Sequence, residues 1–212
     1  MAEHGIEGSE QAPRARILLA SGSPRRRDLL TGAGVSFSIQ PADIDETAFE
    51  GENPEALVER LSYEKARAVL ERQLWAEEEG DHALFVLGAD TVVVLDSGIL
   101  GKPEDEEHAA EMLACLVGRV HTVVTGVTVI ERGSLRPLTR VISSRVEMRD
   151  ADPEEIHRYV ATGESLDKAG AYAIQGRGGG LVTRVSGSES NVIGLPLDET
   201  LSLLREVGAF AP

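Results

Sequence analysis

The chain has a single cysteine, Cys115, in 212 residues. An internal disulfide and a cysteine-based zinc site are therefore both excluded. Its neighbours Met112, Leu113 and Leu116 give Cys115 the setting of a core thiol. No run approaches the ~20 apolar residues that a membrane span needs. The first 16 residues hold acids and no apolar centre, unlike a signal peptide. The expectation is a flexible tail over 1–15, one domain over 16–212, and a cytoplasmic protein without a membrane partner. Positive charge is scarce as well. Lys and Arg number 21 against 36 Asp and Glu, a net charge of -15, which argues against holding long nucleic acid by a general field. No two histidines have ligand spacing. His121 stands alone among apolar residues and reads as a core or supporting residue, whereas His4, His82, His108 and His157 read as surface residues. No Ser-His-Asp or Cys-His order is present, and there is neither an internal repeat nor a linker long enough to separate two domains.

What is present is an alternation of strands and helices. Ile17 to Ala20 reads as a buried strand, 35–40 as an alternating strand, and Asp43 to Glu46 as a compact acidic loop. Asn53-Pro54 opens a long helix that should run to about residue 79, with Leu57, Leu61, Tyr63 or Glu64, Ala68 and Trp75 on its inner side. Residues 83–88 and 91–95 read as two strands, with Gly88-Ala89-Asp90 between them. Lys102-Pro103 opens a helix that Gly118 ends. Strands follow at 120–130 and 138–148, the latter with Ile142, Ser144, Val146 and Met148 on one face. Asp152-Pro153 starts a helix that Gly163 stops, then comes a glycine-rich stretch to 180, a strand at 181–186 and a helix at 196–207. The class is α/β with a mixed sheet and flanking helices.

The chemistry gathers in a few places. Ser21-Gly22-Ser23 turns the chain from a strand into a helix, with Ser23 at the N-cap and Pro24 at the first helical position. Arg25, Arg26 and Arg27 follow in the first turn, where the helix dipole disfavours cations unless an anion is bound. A small-residue turn, a helix N-terminus and arginines together describe a phosphate cradle; a solvated basic turn is the plainer reading. Asp90 interrupts an apolar segment, either as a turn residue satisfied by backbone N–H groups or as a carboxylate in use. Thr91 beside it is a possible ligand donor or an ordinary strand residue. Lys102 reads as a surface lysine or a phosphate ligand, and Lys65, next to Glu64, as part of an exposed helix face. Asp167 to Tyr172 and Gln175 to Gly180 form a loop region whose glycines permit close approach to a ligand. Gln175 can present a donor and an acceptor together, as reading a base requires. The glycine run alone is also compatible with a flexible surface loop.

Taken together, the segments resemble the Maf family of nucleoside triphosphate pyrophosphatases. They are Ser21-Gly22-Ser23-Pro24-Arg25-Arg26, Asp45-Glu46, Glu64-Lys65-Ala66, Gly88-Ala89-Asp90-Thr91, Gly101-Lys102-Pro103, His121 to Val127, Asp167 to Tyr172, Ile174-Gln175-Gly176 and Gly194-Leu195-Pro196-Leu197, in the family's order. The resemblance implies an inosine triphosphate pyrophosphatase-like fold, with two lobes around a deep cleft, and hydrolysis of a nucleoside triphosphate to monophosphate and pyrophosphate with Mg²⁺ or Mn²⁺. It makes Asp90 the proton acceptor and Arg25, Thr91 and Gln175 the positions that separate substrate branches. At these three the sequence looks like the dTTP/UTP branch, with a housecleaning role that could extend to modified pyrimidine nucleotides. Ser21, Ser23, Arg26, Lys65, Lys102 and Lys168 are then the expected phosphate ligands, and Glu46 with Asp90 the expected metal ligands. A homodimer is what the family suggests. The competing readings are a nucleotide-binding regulator of cell division or septum formation without turnover, and a 7-methyl-GTP pyrophosphatase.

Overall fold

The computed structural model describes residues 15–74, 83–96 and 98–211. Within them a seven-stranded mixed sheet runs in the order β2-β1-β3-β5-β6-β7, with β4 added to β3. The strands are β1 (Arg16–Leu19), β2 (Ser38–Ile39), β3 (Leu84–Leu95), β4 (Gly98–Leu100), β5 (Val120–Glu131), β6 (Pro137–Met148) and β7 (Val182–Ser186). β1 lies parallel to both β2 and β3, and the remaining pairings are antiparallel. The helices are α1 (Pro24–Gly32), α2 (Pro54–Leu74), α3 (Glu106–Leu116), α4 (Pro153–Val160), α5 (Glu189–Ile193) and α6 (Leu197–Glu206).

β3 is the spine. Period-2 alternation sends its even-numbered residues to the face covered by α2. There Leu84 and Val86 pack with Ala66, Val69 and Leu70, and Val92 packs with Leu57, Val58 and Leu61. The other face is divided. Phe85, Leu87 and Ala89 join Leu30, Leu203 and Leu204 in one core. Val93 joins Leu113, Leu116, Tyr159, Tyr172 and Leu181 in another. One sheet thus supports two cores on its far face, and Asp90-Thr91 falls where one gives way to the next.

Two glycines set how closely α2 lies on this sheet. A Cβ on Gly88 would stand 2.1 Å from the Ser62 carbonyl oxygen, and one on Gly126 would stand 2.2 Å from that of Val58. Only glycine allows a helix backbone to rest directly on strand backbone here. Asp90 and Gly126 are register partners in β3 and β5, and Gly88 lies two residues before Asp90 on the same face, so α2 lies close against the sheet at and beside the Asp90 level.

Several expectations are corrected. Gly88-Ala89-Asp90 is no turn but the middle of one twelve-residue strand, paired to β5 from Phe85 to Val94. The strand expected over 35–40 is only Ser38–Ile39, at the sheet edge and exposed. α3 starts at Glu106, capped by Asp105, whose carboxylate accepts from the His108 N–H at 2.8 Å, so Lys102-Pro103 precedes the helix. Cys115 is exposed on α3, because Met112, Leu113 and Leu116 take the inward face and Cys115 the outward one. Lys65 is on the buried side of α2, where Tyr63 packs partly buried against the core and Glu64 and Ala68 are only partly covered. The helix α5 was not anticipated. The expected end of α2 near 79, Trp75, His4, His82 and residues 1–14 of the expected tail lie outside the described residues. Among the described residues no helix is long and apolar enough to cross a membrane.

Candidate active site

A cleft of about 760 Å³ opens where β1, β3, α1, α2 and the 167–175 segment converge. Each of Ser21, Ser23, Arg25, Arg26, Glu46, Lys65, Asp90, Thr91, Lys102, Lys168 and Gln175 lines it. These eleven residues come from segments spread over more than 150 positions of sequence, and the fold places them on one surface.

At the floor, the Lys65 ammonium stands 2.7 Å from Asp90 Oδ1 and 2.8 Å from Glu46 Oε1. Lys65 and Asp90 are both buried, at 7% and 6% exposure. A buried carboxylate in a sheet is costly when unpaired, and the lysine offsets that cost. Burial pushes the Glu46 carboxyl up, but the hydrogen bond and charge of Lys65, aided by Lys102 and Arg26, more than reverse it and leave it below the usual carboxylate range. The loop carrying Glu46 is braced from α2 by Arg60. Its guanidinium takes both Glu52 carboxylate oxygens at 2.7 Å, the Thr47 carbonyl at 3.1 Å and Glu64 at 3.1 Å, and lies over the Phe49 ring.

The β1–α1 turn forms one wall. Ser23 caps α1 by accepting from the Arg26 N–H, and Ser21 Oγ accepts from the Ser23 N–H at 3.2 Å. The three arginines then part company. Arg27 points outward to Asp28. Arg25 reaches across the cleft, donating to the Asp167 carboxylate at 3.0 Å and to its carbonyl at 3.2 Å. Arg26 turns inward and donates to Gly194 O and Ala89 O at 2.8 Å each, and to Ser21 Oγ and Thr91 Oγ1 at 3.1 Å each. Burial draws the Arg26 guanidinium below its ordinary value, with Asp90 opposing. Four of its five donors are thus committed to protein, which makes Arg26 first a brace between the turn, β3 and the 194 turn and leaves one N–H uncommitted among the described residues. Thr91 is also committed, with its hydroxyl 3.0 Å from Thr125 Oγ1 and accepting from Arg26.

The opposite wall comes from the glycine-rich region. Lys168 donates to the Glu164 carbonyl and, at 2.5 Å, to Asp167. Burial raises the Asp167 carboxyl, and Lys168 and Arg25 outweigh it and hold it low. Lys102 stands exposed beyond β4, and the neighbouring Gly101 carbonyl accepts from the Gly170 N–H at 2.9 Å. Tyr172 lines the cleft with its hydroxyl 2.7 Å from His121 Nε2. Burial keeps the Tyr172 hydroxyl well above its ordinary value and lowers His121 to about 4. His121 is thus a neutral support beneath the site, as expected.

Residues 16–207 match the family described as Maf-like protein. The chain belongs to the Maf family. Curated relatives named dTTP/UTP pyrophosphatase match nearly end to end. One from Anaeromyxobacter sp. (strain Fw109-5) is 52% identical, over 91% of this chain and 90% of the relative. Another, from Myxococcus xanthus (strain DK1622), is 48% identical over 95% and 97%. A third, from Hahella chejuensis (strain KCTC 2396), is 48% identical over 92% and 94%. For this Maf-family chain, sequence reasoning missed Arg60 and Glu164, and named Asp167 only as part of a motif, without its role as the partner of Arg25 and Lys168. Arg60 and Glu164 had no signal, since their partners Glu52 and the 177–178 backbone are brought to them only by the fold.

Proposed function

We propose that this chain hydrolyses dTTP and UTP to the monophosphate and pyrophosphate, in the cytoplasm, where such activity clears unwanted nucleotides. The observation that carries this is the buried Asp90–Lys65 pair, joined from the cleft side by the half-exposed Glu46, on the floor of a cleft walled by Arg25, Lys102 and Lys168. A binding module needs cations for the phosphates, but gains nothing from a carboxylate buried beside them. The names of the relatives support the substrate class.

Cleavage between the α and β phosphates requires water in line with the α-phosphorus and pyrophosphate departing opposite. Asp90 takes the proton of the attacking water, and its Oδ1 is engaged by Lys65, which assigns the proton to Oδ2. The P–O bond to the β-phosphate breaks as the new one forms, and pyrophosphate leaves with its electron pair. Arg25, Lys102, Lys168 and the free N–H of Arg26 neutralise the phosphates, while Ser21 and Ser23 shape the turn around them. Gln175 meets the base edge. Thr91 acts through Arg26 and the Gly194 carbonyl.

Among the described residues no cluster of three or more His, Cys, Asp or Glu could cage a metal. The Glu46 and Asp90 carboxylates meet at the Lys65 ammonium, and their other oxygens, with phosphate oxygens to complete the shell, suit Mg²⁺ or Mn²⁺. Glu46 and Asp90 would hold that ion, which supplies charge neutralisation at the phosphates and acidifies water. Turnover in ¹⁸O-labelled water tests the point of attack. The label is expected on the monophosphate; label in the pyrophosphate would mean attack at the β-phosphorus and contradict this arrangement.

A further inference from the structure

We infer that Glu164, together with Tyr159, is a positioning residue for nucleobase selection, holding Gln175 at a fixed place on the cleft wall. The inference deepens the proposed function and rests on its reading of Gln175 as the group that meets the base.

Neither Glu164 nor Tyr159 lines the cleft. Both grip the chain on either side of Gln175. Upstream, the Tyr159 hydroxyl accepts from the Ala173 N–H at 3.1 Å in a buried contact. Downstream, the Glu164 carboxylate accepts from the Arg177 N–H at 3.1 Å and from the Gly178 N–H at 3.4 Å. Gln175 is therefore clamped two residues before and two and three residues after itself.

The glycines make this clamp possible. A Cβ on Gly178 would stand 2.6 Å from the Tyr159 hydroxyl and 2.5 Å from the Ala173 carbonyl oxygen, and one on Gly179 would stand 2.5 Å from the Ile174 carbonyl oxygen. Gly176 is at φ +79°, and a Cβ there would stand 3.0 Å from Glu164 Oε2. The segment is a chain doubled back on itself around two anchors, not a loose loop. A glutamine amide discriminates between bases only if its donor and acceptor are held to within about 0.5 Å, which a rotamer-rich side chain on an unanchored loop cannot achieve.

Glu164 has a second contact, and it divides the roles. Its backbone carbonyl accepts from Lys168 on the phosphate wall. Truncating the side chain removes the anchor for the base loop and leaves the carbonyl that orients Lys168. Base selection and phosphate binding should then separate.

UTP and CTP differ only at N3 and the 4-position, so their kcat/KM ratio reads the base edge alone. In Glu164→Ala the ratio is expected to fall about tenfold, the size of one lost oriented hydrogen bond. Turnover at saturating UTP should stay within about threefold of the parent. Tyr159→Phe, which keeps the ring in the core, should lower the ratio in the same direction. Glu164→Gln, which keeps an acceptor oxygen, should recover most of it. Adding Glu164→Ala to Gln175→Ala should cost nothing further, because the two act through one group. An unchanged ratio in Glu164→Ala, or an equal loss on UTP and CTP, while Gln175→Ala collapses the ratio, overturns the inference and leaves the reading of Gln175 standing. A ratio intact in Gln175→Ala removes that reading, and the inference with it.

Discussion

His121 is 2% exposed, bonded through Nε2 to Tyr172, and its Nδ1 has no partner. Burial lowers its pKa from 6.5 to about 4, so the folded protein keeps the imidazole neutral where the unfolded chain would protonate it. The unfolded state therefore binds the extra proton below pH 6.5, and stability is present above that value and lost as pH falls toward 4. The slope approaches about 1.4 kcal/mol per pH unit in that window. Urea unfolding at pH 7, 6 and 5 should show this loss, and His121→Gln should flatten it. An equally steep loss in the variant would assign the acid sensitivity elsewhere. The same residue shows what sequence can reveal. An isolated histidine in an apolar strand is legible as a core residue from its neighbours alone. Lys65 is not. Beside Glu64 on a long helix it reads as solvated surface, and only the separation of 25 positions closed by the fold makes it the partner of Asp90.

The α2–sheet contact decides where that partnership forms. Gly88→Ala or Gly126→Ala would drive a methyl group into helix backbone, and the helix must lift. Overpacking of this kind costs about 3 kcal/mol. Denaturant midpoints should drop accordingly, and activity should fall further than stability because Lys65 moves off Asp90. Wild-type activity in a destabilised Gly88→Ala protein would separate the helix contact from the site. At this scale the elements were largely legible, since Pro24, Pro54 and Pro153 and their capping residues Ser23 and Asp152 mark helix starts by local chemistry. The continuity of β3 was not. A polar residue between two apolar runs looks like a break. What keeps the strand unbroken is ten consecutive register pairs with β5, a long-range fact. α5 escaped notice for a related reason, as five residues give too little periodicity to read.

For the molecule as a whole, the net charge of -15 and an anionic substrate are reconciled by segregation. Acids crowd the first turns of α3 and α4, whereas the cleft collects Arg25, Arg26, Lys65, Lys102 and Lys168. The motif residues were visible one by one, and their order along the chain pointed to the family. Their convergence was not visible, because it depends on two cores sharing one sheet with a gap between them. Asp90→Asn suits a direct test of that convergence. The substitution is isosteric, and Lys65 retains Glu46 as its charge partner at 2.8 Å. The decisive measurement is pyrophosphate release with Mg²⁺ from dTTP, UTP, CTP, GTP, ATP and 7-methyl-GTP, by the wild-type protein and by Asp90→Asn. Selective release from dTTP and UTP, reduced at least about 10²-fold in the variant while nucleotide binding persists, is the expected result. Release from 7-methyl-GTP instead, or wild-type turnover by Asp90→Asn, would contradict the account.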